Sequence, residues 1–150
     1  MLSKKLVTLT LFLFTLFFFI SCAKKTDDSS TTTKTSFAPP SWIHGAWVDN
    51  VSSSTKNGYK FDSSDVYLVI FGQVTAGFVA AGVSMTQLTS TDSEFSYSYP
   101  VEGTSSDTNY SGTVTNVFTK ETDSTMKLTG SSTTTYVSVT ETTYTKDTSL

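Results

Sequence analysis

The sequence predicts an all-β fold, either a small antiparallel up-and-down barrel or a sandwich, and two observations favour it. Serine and threonine make up 53 of the 150 residues, and threonine suits strands because its β-branched side chain packs on a pleated surface. In addition, Phe95, Tyr97, Tyr99 and Val101 alternate with polar residues or proline over 94–101. A repeat of two residues is the pattern of a strand with one buried face.

Composition divides the chain into three segments. Residues 1–21 join two lysines to an apolar run over 6–20, which is typical of a secretory signal helix and too short for a membrane span of about 20 residues. Residues 22–39 are rich in serine, threonine, lysine and aspartate, and two prolines at 39 and 40 mark the end of this segment, which predicts a disordered, flexible tether. Residues 40–150 are the predicted β domain.

The first strand of this domain is predicted to follow a short turn after Pro40 and to bury Trp42, Ile43 and Trp47. The Asn57-Gly58 pair then favours a hairpin turn, because both residues tolerate the positive φ angles that tight hairpins need. A strand should follow this turn directly.

Residues 66–71 form a continuous apolar run of β-branched and aromatic residues, which favours a strand over a helix. Asp62 and Asp65 precede it and are predicted to cap the turn. Residues 75–83 fit either a glycine-rich strand pair or one turn of helix, and a new strand is expected to begin at 85–88.

Residues 109–120 repeat the alternation, with Tyr110, Val114 and Phe118 predicted to face inward. Val117 interrupts the pattern, which predicts a bulge or a twisted edge. A further strand is expected where Met126 and Leu128 alternate with polar residues.

The last part of the chain is read from the same pattern. Residues 130–132 are predicted to form a turn, and 133–141 a strand with Val137 and Val139 on one face. A short final segment begins at Tyr144. The total of about seven to nine short strands predicts an antiparallel meander.

The only cysteine, Cys22, directly follows the apolar run. The sequence Phe19-Ile20-Ser21-Cys22 resembles the lipobox of bacterial lipoproteins, in which the cysteine sulfur is acylated and the chain is cut before this residue. The resemblance implies lipidation of Cys22 and a membrane anchor in the cell envelope. Ala23 stands where an aspartate commonly retains such proteins at the inner membrane, which by analogy favours the outer membrane.

The segment Pro40-Ser41-Trp42-Ile43-His44-Gly45-Ala46-Trp47 resembles the W-x-x-G-x-W opening strand of lipocalin-like bacterial lipoproteins. Residues 61–66, 118–120 and 143–146 are similar to later strands of that group. The resemblance covers about residues 40–146 and implies that Trp47 closes one end of a small barrel. It implies a fold and an envelope location and names no ligand.

The sequence shows no catalytic machinery, and we expect neither a catalytic residue nor a cofactor. A Ser-His-Asp triad would use Ser41, His44 and Asp49, but their spacing gives no nucleophile elbow. No metal site is expected, because His44 and scattered carboxylates do not supply the three or four ligands that zinc needs. A role in acid–base pairs is not indicated for the remaining carboxylates Glu94, Glu102, Glu121 and Glu141.

The charge pattern argues against nucleic-acid binding, because the net charge is −3 and the ten basic residues are dispersed. The hypothesis is therefore a non-catalytic envelope lipoprotein that binds a small apolar ligand or an envelope protein. The alternative is a surface-exposed structural, adhesive or host-interaction lipoprotein. Aromatic side chains are the candidates for either lining a ligand site or filling the core: Trp42, Trp47, Tyr67, Phe71, Phe78, Phe95, Tyr97, Tyr99, Phe118 and Tyr136.

Overall fold

The computed structural model describes residues 36–105 and 107–150. The signal, Cys22 and most of the tether lie outside the described residues. Within them the chain forms one 3₁₀ turn, Ser41–Ile43, and nine strands, with no α-helix. The strands are β1 (Gly45–Val48), β2 (Gly58–Phe61), β3 (Val66–Ile70), β4 (Gln73–Gly77), β5 (Thr86–Ser90), β6 (Glu94–Ser105), β7 (Thr108–Lys120), β8 (Thr125–Ser132) and β9 (Thr142–Asp147). The predicted all-β class is confirmed.

All nine strands belong to one antiparallel sheet with the order β4-β3-β2-β1-β9-β8-β7-β6-β5. The pairing of β1 with β9 joins two meanders, one made by the first four strands and one by the last five. The sheet curls into a half-barrel, so that Phe61 on β2 and Phe95 on β6 face each other with ring centroids 6.0 Å apart. Strands β4 and β5 are the two edges.

The core lies on the concave face of this sheet. Fully buried side chains there come from most strands: Ile43, Trp47, Phe61, Phe95, Tyr97, Phe118 and Met126. Phe61 and Phe118 meet edge to face at 5.2 Å, an arrangement that aromatic rings prefer. Trp47 donates its indole N–H to the Ile43 carbonyl at 2.6 Å, so the largest core side chain leaves no polar group unpaired.

The strands with strict alternation are found where they were predicted. Phe95 and Tyr97 of β6 and Met126 and Leu128 of β8 are buried. The bulge predicted at Val117 is wrong, because β6 and β7 pair without a register shift over their whole common length. Asn116 is the buried residue between Val114 and Phe118 in the alternation. Because it is polar, the sequence does not show that the alternation continues through it.

Two turns also differ from the prediction. Gly58 is the first residue of β2 and pairs with Val48, so Asn57-Gly58 is not a tight hairpin turn and the connection covers 49–57. Residues 130–132 complete β8, and 133–141 form the connection to β9 rather than a strand. In the ambiguous stretch 75–83, β4 continues to Gly77 and turns follow it.

The prediction that Asp62 and Asp65 cap the turn before β3 is confirmed. Asp62 Oδ1 accepts the backbone N–H groups of Ser64 and Asp65 at 2.7 and 2.8 Å. The buried carboxylate of Asp65 also accepts N–H groups from Val79 and Ala80, at 2.8 and 2.9 Å. Asp65 therefore holds the turn after β4 against the turn before β3.

Residues 36–43 cross the concave side near the edge strand β5. Phe37 is buried and meets the rings of Phe95 and Tyr97 at 5.6 and 5.5 Å. The Ala38 N–H donates to Gln87 Oε1 at 2.8 Å. The packed unit thus includes Phe37, which precedes the predicted domain start at residue 40.

The hairpin between β3 and β4 carries an unusual residue at its tip. Ile70 pairs with Gln73 across a two-residue loop in which Phe71 and Gly72 have φ angles of 51° and 74°. Positive φ at both positions is what a type I′ turn requires, and asparagine followed by glycine is the preferred pair. Phe71 is bulky, strained at this φ and 66% exposed.

We expect Phe71→Asn to raise the free energy of unfolding by about 1 kcal/mol, because asparagine adopts the left-handed region more readily. Urea denaturation or a rise of a few degrees in Tm would measure it. Phe71→Ala is the matched control, since it removes the exposed ring without relieving the backbone. Equal stability of the two variants would contradict this account.

Candidate functional site

A cavity of about 190 Å³ opens on the concave face at the end of the half-barrel opposite the 3₁₀ turn. Tyr59, Tyr99, Asn116 and Tyr144 bring polar atoms to its wall from four different strands. Apolar walls come from valine and leucine side chains. Small, partly apolar cavities with a few convergent polar groups are the usual form of ligand sites, and we take this one as the candidate site.

The register of the sheet explains why these side chains converge. Tyr97 lies opposite Asn116, and Tyr99 opposite Val114, in the β6–β7 pair. Side chains of directly paired residues lie on the same face of a sheet, so all four point to the concave side. Tyr144 reaches the same face through its pairing with the buried Met126.

Some polar atoms of the cavity have a hydrogen-bond partner in the protein and others do not. Asn116 Nδ2 donates to the Tyr97 hydroxyl oxygen at 3.2 Å. The hydroxyl groups of Tyr59 and Tyr99 make no hydrogen bond within residues 36–105 and 107–150, yet no enclosed side-chain nitrogen or oxygen in this part of the chain is left without a partner. Both hydroxyls therefore face the open space of the cavity.

Burial keeps these phenols protonated. It raises the pKa of Tyr59, Tyr97 and Tyr99 above the ordinary value of about 10. Around Tyr59 the neighbouring phenols Tyr144 and Tyr99 add to this effect, because a second negative charge nearby would be unfavourable. At neutral pH the cavity consequently offers hydroxyl donors rather than phenolate ions.

The connection between β8 and β9, residues 133–141, covers the cavity through Val137 and Val139. Tyr136 within it stacks on Tyr110 of β7 with ring centroids 4.9 Å apart. The Thr133 N–H donates to the Thr113 carbonyl at 3.0 Å. One aromatic pair and a few hydrogen bonds therefore hold residues 133–141 in place, without the continuous hydrogen-bond ladder of a paired strand.

Glycine at position 130 lets this cover approach the sheet. A β-carbon at Gly130 would overlap the side chain of Val139 and the Thr115 carbonyl oxygen. The glycine that was predicted to turn the chain thus serves close packing within β8, which is a common reason for glycine in a strand.

A larger depression of about 490 Å³ lies elsewhere, between Phe37 and the turn after β4, where Val79, Val83 and Met85 line it. Its polar lining comes from short serine side chains. The tyrosine-lined cavity is smaller, but polar side chains from four strands converge on it. This convergence makes it the better candidate.

The sequence candidates for catalysis are not brought together in the described part of the chain. His44 Nε2 hydrogen-bonds the Pro39 carbonyl oxygen at 2.9 Å, and no hydrogen bond joins its ring to Ser41 or Asp49 there. Among the residues that the structure covers, no three metal-ligating side chains form a group. Glu141 pairs with Lys127 at 2.7 Å on the surface.

The aromatic candidates have different positions. Trp47, Phe95, Tyr97 and Phe118 fill the core, Phe71 and Tyr136 are exposed, and Tyr99 alone of the ten lines the cavity. Sequence reasoning missed Tyr59, Asn116 and Tyr144. Asn116 could have been found by extending the alternation from Val114 to Phe118 through the polar residue between them.

Comparison with protein-family models, curated proteins and solved structures gives no match. None of the helices in the described part of the chain is of the length and apolarity that a membrane crossing needs.

We expect the free energy of unfolding to fall as the pH rises above about 10. The pKa of Tyr97 is raised in the folded state. The protonated Tyr97 side chain therefore contributes its full stabilisation below the pKa of tyrosine in the unfolded chain, and this contribution is lost as the pH rises through the pKa of Tyr97 in the folded protein. Urea denaturation at pH 8 and at about pH 11 measures the loss. In Tyr97→Phe the loss should be smaller, and an equally steep decline in both proteins would exclude this cause.

Proposed function

We propose that this chain is a non-catalytic lipoprotein of the bacterial cell envelope whose β domain binds a small ligand on its concave face. The observation that carries the proposal is the tyrosine-lined cavity, on which the hydroxyl groups of Tyr59 and Tyr99 converge without a hydrogen bond to any described residue. Such accessible hydroxyl groups hydrogen-bond to water in the free protein. A ligand in the cavity would take the place of this water.

The membrane part of the proposal is supported by the N-terminal sequence. Cys22 follows an apolar run and the lipobox-like Phe19-Ile20-Ser21. Acylation at the sulfur and at the new amino group would give more than one chain, which is enough for stable anchoring. Ala23 favours the outer membrane by the analogy given above.

The finer fold assignment, a lipocalin-like barrel, also belongs to this proposal. Its support is the position of the Trp42-x-x-Gly45-x-Trp47 motif. Trp47 is 0% exposed, and Lys146 Nζ lies 5.1 Å from the centroid of its ring. That end of the sheet interior is packed, while the candidate cavity lies at the other end.

The non-catalytic part rests on the lining of the cavity. Among the described residues, no histidine, cysteine, lysine or carboxylate lines it, and these are the groups that usually act as nucleophiles, acids or bases. Tyrosine can act as a general acid, but the raised pKa of Tyr59 and Tyr99 makes proton release at neutral pH unfavourable.

For the anchor, we expect Cys22→Ala to abolish incorporation of a labelled fatty acid and to leave an uncut precursor. The substitution removes the only thiol that can be acylated. Intact-mass measurement on purified membranes reads both changes at once, and Lys25→Ala, outside the lipobox-like sequence, should be processed as the wild type. A mature chain that begins elsewhere than at residue 22 would contradict the proposal.

For the ligand, we expect native mass spectrometry of the full chain, purified from its own host in detergent, to show one additional small mass. The same protein, unfolded and refolded without additions, is the control and should lack this mass. A wild-type spectrum identical to that of the refolded protein would overturn ligand binding.

A further inference from the structure

We infer that the cavity takes an uncharged, single-ring molecule that carries a carbonyl or ether oxygen, and that this oxygen accepts hydrogen bonds from Tyr59 and Tyr99. The inference rests on the proposed binding function and specifies its ligand class. It also departs from the purely apolar ligand that the aromatic content of the sequence favoured.

The volume of the cavity sets the size of the ligand. A buried cavity of about 150 Å³ lined by apolar side chains is known to hold benzene. The present cavity of about 190 Å³ therefore accommodates one six-membered ring with a short substituent. A fatty-acid chain or a fused-ring compound would extend out of the cavity.

The absence of charge in the lining sets the charge of the ligand. Tyrosine, valine, leucine, asparagine, serine and threonine line the cavity, and no lysine or carboxylate from residues 36–105 or 107–150 does. A carboxylate or ammonium group placed there would lose its hydration without gaining an opposite charge, which is costly. The ligand class is consequently neutral.

The state of the hydroxyl groups sets the polar atom of the ligand. The side chain of Asn116 already donates to Tyr97, whereas Tyr59 and Tyr99 have hydroxyl groups that face the cavity. Because both phenols remain protonated at neutral pH, each can donate. An oxygen acceptor on the ligand would satisfy them, and a hydrocarbon of the same shape would leave them without a partner.

The arrangement of the walls sets where the ring lies. Val114, Leu128 and Val139 supply apolar surface in the lining of the cavity. The ring of Tyr59 is itself fixed by edge-to-face contacts with Phe118 and Tyr144, at 5.2 and 5.6 Å. The ring of the ligand would lie against the aliphatic wall with its oxygen directed at Tyr59 and Tyr99.

The test compares three flat probes with the same number of non-hydrogen atoms: acetophenone, α-methylstyrene and benzoate. The first has a neutral acceptor, the second has none, and the third is an anion. Binding to the full chain in detergent micelles is followed by protein-observed NMR at residues 137–140, with the free probe concentration measured in each sample. We expect acetophenone to bind most tightly and benzoate not to bind.

Tyr59→Phe should weaken acetophenone binding about three- to tenfold, the range expected for one neutral hydrogen bond, and leave α-methylstyrene unchanged. Tyr67→Phe is the matched control, because the Tyr67 hydroxyl donates to Asp62 outside the cavity. Its affinities should equal those of the wild type. If Tyr59→Phe fails to fold, Tyr99→Phe tests the same donor role.

Equal affinities for acetophenone and α-methylstyrene would overturn the inference, as would tight benzoate binding or unchanged acetophenone binding in both tyrosine variants. A lack of response at residues 137–140 to all three probes would overturn it as well. These outcomes concern the ligand class alone. The proposed binding function fails separately, when the protein from its own host carries no additional mass.

Discussion

The pairing of the first strand with the last is the constraint on which the rest of the structure depends. Trp47 lies opposite Lys146 in the β1–β9 pair, and this pairing joins the two meanders into one curled sheet. The same region is held from outside by the ion pair of Lys56 and Asp147, 2.5 Å apart, to which Ser149 adds hydrogen bonds. Its strength is visible in the pKa of Asp147, which the Lys56 ammonium group lowers to about 2.

Because β1 pairs with β9, the edge strands of the sheet are β4 and β5. Local contacts cover both edges. Asp65 holds the turn after β4 by accepting the backbone N–H groups of Val79 and Ala80. Phe37 packs beside β5 against Phe95. Unpaired strand edges are sites of unwanted association. Because local contacts cover them, the packing of the sheet interior can differ between its two ends. One end is packed around Trp47, and the other retains the cavity.

The sequence predicts those strands whose side chains reveal the buried face, such as β6 with its repeating aromatic residues. It fails where a buried residue is polar, since Asn116 is stabilised by Tyr97 on a neighbouring strand and a single-strand pattern contains no trace of that partner. The turn predicted at Gly130 is wrong for a related reason, because the absence of a side chain there allows close packing of Val139 from the following connection. Both errors arise from contacts between segments, and local propensity reports only the segment itself.

Local sequence patterns are least informative about the candidate site, because its polar atoms come from β2, β6, β7 and β9 and no two of them are close in sequence. The hydroxyl groups of Tyr59 and Tyr99 make no hydrogen bond to a described residue, and phenylalanine at either position would retain the ring contacts. No enclosed side-chain donor or acceptor in the described residues is left unpaired, so both hydroxyl groups are accessible from the cavity. Two accessible donors that converge on one cavity contribute little to packing and are better explained by a bound molecule, whose binding should stabilise the folded protein.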